Sequence, residues 1–158
     1  MTLRFDVAPP KKVHCLRVIG PYHQSVPDGF QKLIVWAQEQ QLPWTETLAF
    51  YWDDPSETEQ DQLRADVALV LPAETAIGEN TLGVREETIP EGLFAVLHTI
   101  VSNGEFAKAW GELYDQIAQN GYKPARGVCF ERYLCDGSSG NWEIEIWQSV
   151  DPNDDVQQ

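Results

Sequence analysis

A chain of 158 residues with 42% hydrophobic residues can bury a core, which excludes a wholly disordered chain, and it holds no uninterrupted apolar run long enough to span a membrane. Eleven Lys and Arg against 25 Asp and Glu leave a net charge of −14, which opposes direct binding to phosphate backbones and favours cationic small molecules or a basic protein surface as partners. The opening "MTLRFDVAPPKK" lacks a basic n-region and an apolar h-region, so the expectation is a cytoplasmic protein with no direct nucleic-acid or membrane contact.

In chain order, residues 2–7 and 12–19 read as strands, the second within "KKVHCLRVI". Val26, Phe30, Leu33, Ile34 and Ala37 then form an i, i+4, i+7, i+8, i+11 stripe, which predicts a helix over 26–40 with Ser25 as its cap. Strands follow at 47–52 and 65–71, separated by the acidic, turn-rich loop "DDPSETEQDQ" at 53–62. Two more strands, 83–89 and 93–101, lead to "SNGE", where Ser102 and Glu105 stand in capping-box order before a helix over 105–119. Gly121 and Pro124 close that helix, and strands at 127–134 and 142–150 complete the set before the acidic tail "DPNDDVQQ", 151–158, which reads as flexible.

The second helix repeats the first. Phe106, Trp110, Leu113, Tyr114 and Ile117 reproduce the earlier stripe eighty residues on, and the same offset matches Pro10 with Pro90 and Phe50 of "LAFYW" with Phe130 of "VCFERYL". The organisation this implies is one α+β domain, 1–150, made of two repeats, 1–72 and 82–150, each of two strands, a helix and two strands. Amphipathic helices followed by strand pairs predict antiparallel sheets with helices on one face, and two such halves about a pseudo-twofold would leave a central cleft.

The last strand, "WEIEIWQSV", sets Ile144 and Ile146 on one side and Glu143, Glu145 and Trp147 on the other. Alternation in neighbouring strands suggests that Glu131, Tyr133 and Tyr51 join the second face, making it aromatic and acidic. On spacing alone that face is either a solvated sheet surface or a pocket in which rings enclose a cationic or aromatic ligand and a carboxylate supplies the charge. No cofactor or metal is expected. His14, His23 and His98 fall on separate elements, the acidic loop has no glycine for a calcium turn, and Cys15, Cys129 and Cys135 lack C-x-x-C spacing and read as reduced thiols.

"GPYHQSVPDGFQKLIVWAQEQ", "YWDDPSETEQDQLRADVALVLP", "FAKAWGELYDQIAQNGY", "CFERYL" and "WEIEIW" together resemble the SbmC or GyrI family of DNA gyrase inhibitory proteins, stand-alone relatives of the effector-binding domains of AraC- and MerR-type regulators. The resemblance implies a duplicated α/β fold with a small-molecule pocket, DNA gyrase as a partner, a role in toxin resistance, and a ligand-facing acid at Glu145. Effector-binding relatives read "E-I-Y-I-P" where this chain has "E-I-W-Q-S". Some GyrI-like proteins hydrolyse strained cyclopropane-bearing DNA-alkylating compounds. The alternative to a binding protein is therefore a hydrolase in which Glu145 activates water and Tyr133, or Tyr51, protonates the opening ring.

Overall fold

The computed structural model describes residues 1–153 and places eight strands and two α-helices in the predicted order. Strands β1 (Thr2–Ala8) and β2 (Lys11–Ile19) precede helix α1 (Tyr22–Glu39), then come β3 (Glu46–Tyr51), β4 (Arg64–Val70), β5 (Arg85–Ile89) and β6 (Gly92–Val101). Helix α2 (Phe106–Gln119), β7 (Tyr122–Tyr133) and β8 (Trp142–Pro152) follow, and every paired strand described runs antiparallel to its neighbour. The α+β class is thus as the periodicities predict.

Both helix starts differ from the predicted ones. Helix α1 begins a turn earlier, so Ser25 lies inside it and donates to the Gly20 carbonyl rather than capping the end. Tertiary bonding secures the added turn: the Tyr22 hydroxyl sits 2.9 Å from the Asp53 and Arg64 carbonyls. Pro27 is consequently interior, at the loss of one helical hydrogen bond. Before α2, Asn103 and Gly104 both take left-handed conformations (φ 56° and 70°), and the Glu105 amide donates to the Ser102 carbonyl. That tight turn replaces the capping box. At the far end of α2, Gly121 (φ 82°) turns the chain as predicted, but Pro124 lies within β7, beside a register shift between Pro124 and Cys129.

The chain forms two compact units, and they are not its contiguous halves. The α1 unit is Lys11–Ile89, with strand order β3-β4-β2-β5; the α2 unit joins Met1–Pro10 to the chain from Pro90, with order β7-β8-β6-β1. Each predicted half therefore contributes its first strand to the other unit: β1 pairs with β6, and β5 with β2. Short linkers favour this exchange. "APPK" joins β1 to β2 and "IPEG" joins β5 to β6, and proline, with its fixed φ and lost N–H, carries the chain onward instead of into a two-residue hairpin. The predicted tail is in part regular, because Asp151 and Pro152 extend β8 and the Asn153 amide donates to the Gly121 carbonyl; 154–158 lie outside the described residues.

Each helix covers one face of its own sheet. In the α2 unit, Ala109, Leu113 and Ile117 pack on Ala95, Leu97, Ile144, Ile146 and Val150. In the α1 unit the helix approaches so closely at Gly29 that a Cβ there would meet Val18 Cγ1 at 2.5 Å, which only glycine accommodates. Val67 and Leu69 pair with Leu16 and His14 on this helix-facing side.

Candidate functional site

Residues opposite one another in an antiparallel ladder share a face, so the registers assemble the surface that α2 leaves open. Glu145 lies between His98 and Arg132, and Trp147 between Val96 and Phe130; β1 adds Arg4 beside Val96 and Asp6 beside Phe94. Ile144 and Ile146 face α2, so the predicted sides of β8 hold.

Glu145 is 7% exposed, and both of its oxygens are engaged. Oε1 accepts hydrogen bonds from Arg132 Nη1 (2.9 Å) and Trp147 Nε1 (3.1 Å), while Oε2 accepts from Arg4 Nη1 (3.1 Å). Arg4 also donates from Nε to Asp6 (2.6 Å), and its guanidinium carbon lies 5.6 Å from the centre of the Trp147 ring. Phe130 stacks on that indole (5.6 Å, 10°), and Phe94 meets it edge-on (5.5 Å, 67°). Burial pushes the Glu145 carboxyl up, but the Trp147, Arg4 and Arg132 contacts outweigh it and hold the group below its ordinary range. Burial likewise opposes the charge on Arg4, yet Asp6 and Glu145 raise its pKa. The cluster is locally neutral, with two carboxylates matched by two guanidinium groups.

Glu143 differs. Its side chain is 46% exposed and lies 2.7 Å from His98 Nε2, at the rim of the same face.

Three of the predicted site residues face the helix of their own unit instead. Register pairs Glu131 with Ile146 and Tyr133 with Ile144, which places both toward α2 and corrects their grouping with Glu145 and Trp147. Glu131 is 2% exposed; Trp110 Nε1 donates to one carboxylate oxygen (2.7 Å) and the Tyr133 hydroxyl to the other (2.6 Å). Alternation misleads here because β7 is buried on both sides: Phe130 is 4% exposed against Trp147 while Glu131 is enclosed by Trp110. Apolar character therefore does not mark the helix side. Tyr51, in the α1 unit, pairs with Ala65 and meets Tyr22 of α1 edge-on at 4.9 Å, so it too faces its helix. Glu145 and Tyr133, the predicted base and acid, thus stand on opposite faces of one sheet.

A parallel arrangement exists in the α1 unit. Asp66 is 1% exposed; Trp52 Nε1 donates to it at 2.7 Å, Arg17 Nη2 at 3.2 Å, and Arg85 Nη2 forms an ion pair at 3.0 Å. Sequence reasoning missed this cluster, along with Arg4, Arg132 and Trp110. The available signals were an aspartate inside the apolar run "RADVALV" and an Arg-x-Asp alternation in "LRFDV". Among the described residues no group of three or more His, Cys, Asp or Glu side chains is placed to hold a metal ion, and no helix is long and apolar enough to cross a membrane. Among the described residues the three cysteines form no disulfide; burial pushes the Cys15 thiol up to about 12, and it also lowers the pKa of the enclosed His14.

Comparison with known proteins gives this site a family context. A DNA gyrase inhibitor 2 from Dickeya dadantii (strain 3937) is 91% identical over 99% of this chain and 100% of its own length. A DNA gyrase inhibitor from Pectobacterium carotovorum subsp. carotovorum (strain PC1) is 51% identical over 96% of this chain and 98% of its own. The crystal structure of the EcmrR C-terminal domain superposes with a TM-score of 0.71 over 96% of this chain and 98% of that one, at 16% identity, a likeness of fold alone. Residues 1–151 match the model of the GyrI-like small molecule binding domain, and the chain belongs to that family.

Proposed function

We propose that this protein inhibits DNA gyrase in the cytoplasm and so protects against gyrase-directed or DNA-damaging toxins, with its domain also holding a cationic or aromatic small molecule. The observation that carries the reading is the 91% identity, over nearly the whole of both chains, to a protein named DNA gyrase inhibitor 2. Its net charge of −14 suits a basic surface on a topoisomerase better than it suits DNA itself. For the small molecule, the buried Glu131 carboxylate framed by Tyr133 and Trp110 supplies a charge in an aromatic setting. The hydrolytic alternative is not favoured: the relatives are named as inhibitors, and its proposed base and acid do not share a face.

Supercoiling by purified gyrase tests the main reading. Inhibition at micromolar protein that weakens as salt rises is expected, because an electrostatic contact is screened. An absence of inhibition at low salt would overturn it.

A further inference from the structure

The Glu145 cluster has the parts of a cation-binding site and already contains a cation. A carboxylate that is 7% exposed presents Oε2, and beside it lies the face of Trp147, backed by Phe130. A carboxylate next to an indole face suits a guanidinium or alkylammonium group, which gains a charge-assisted hydrogen bond together with a cation–π contact. Arg4 makes both contacts, to Oε2 at 3.1 Å and over the ring at 5.6 Å.

The two arginines on Glu145 are not equivalent. Arg132 belongs to β7, its side chain is 29% exposed, and it holds Oε1 together with Trp147. Arg4 belongs to β1, which pairs with β6 and lies at the end of its unit's strand order; its side chain is 41% exposed, as its Asp6 partner's is at 47%. An Arg4 side chain rotated outward keeps water and Asp6 as partners and uncovers Oε2 with the indole face. Glu145 in turn keeps Arg132 and Trp147, so its charge does not become isolated.

We infer that Arg4 is a built-in occupant of a cation site formed by Glu145 and Trp147, and that this site takes a guanidinium- or ammonium-bearing small molecule when Arg4 swings out. The inference rests on the small-molecule reading of the domain and adds to it a second site, on the sheet face opposite the Glu131 carboxylate. A tethered guanidinium competes at high effective concentration, so a free cation making only the same two contacts is excluded. A ligand must offer additional contacts to displace it. Arg4 thus acts as a filter against simple cations.

The test uses methylguanidinium as the probe and the Trp147 indole N–H resonance, assigned with Trp147→Phe, as the readout. N-methylurea, of similar shape and no charge, is the control. Wild type should show no saturable shift at low millimolar methylguanidinium, whereas Arg4→Ala should bind it at least about tenfold more tightly, and Arg4→Ala/Glu145→Gln should lose that binding. The urea should bind none of them. Arg4→Met, which keeps the aliphatic stem, serves if Arg4→Ala does not fold. Failure of both to fold would overturn the inference by showing Arg4 to be a structural strut, as would a folded variant that binds no better than wild type. The gyrase assay is a separate readout, so loss of supercoiling inhibition and failure of this titration are distinguishable.

Discussion

Glu143 and Glu145 are two residues apart and on the same face, yet their environments predict unequal consequences of neutralisation. Glu145→Gln removes a carboxylate that accepts from Arg4, Arg132 and Trp147 and leaves two guanidinium groups facing an amide; a loss of about 1–3 kcal/mol in urea denaturation is expected, the range for charge-assisted hydrogen bonds. Glu143→Gln should cost less than about 1 kcal/mol, because its contact with His98 is exposed. The pH dependence follows from the depressed Glu145 carboxyl. The unfolded chain binds this proton at higher pH than the folded one does, so the stabilisation is complete above the ordinary value of 4.5 and disappears as pH falls through the lower, folded value. Glu145→Gln should flatten that acid limb relative to wild type. An unchanged acid limb, with equal midpoints for the two variants, would show that Glu145 faces solvent in the working protein.

At the scale of elements, periodicity carried most of the fold and little of the site. The stripes ending at Ala37 and Ile117 identify both helices because a helix packs one face, so its apolar spacing is unambiguous. Strand alternation gives the sides of β8, whose isoleucines contrast with its glutamates, but not those of β7, where Phe130 and Glu131 are both buried. The Arg4 contact was illegible for a different reason: it joins residues 141 positions apart through the exchanged strand β1. The sides of β8 can be checked directly. Ile146 is fully buried beneath α2, so Ile146→Asp places an unpaired carboxylate in that core and should destabilise the protein by about 4 kcal/mol or more, enough to abolish a cooperative thermal transition in a marginal domain. Melting like that of wild type would reverse the faces.

At the scale of the whole molecule, the repeat expected from the sequence and the units seen in space cut the chain differently. If the contiguous halves were the folding units, removing the first strand would weaken the half containing α1. The observed pairing predicts the reverse, since β1 holds β6 through a ladder running from Thr2 opposite His98 to Ala8 opposite Gly92, and Leu3 and Phe5 pack against the α2 core. Strand β2 keeps β4 and β5 as its neighbours without β1. Deleting residues 2–9 should therefore raise amide exchange in β6, α2 and β8 while β2 and β4 stay protected. Within β6 the largest increase should fall on alternate amides between Gly92 and His98, because in an antiparallel strand successive amides point to opposite neighbours and only one set faces β1. Hydrogen exchange read residue by residue by NMR makes the measurement. Loss of protection centred on β2 would mean that the first strand belongs to the half in which the sequence places it.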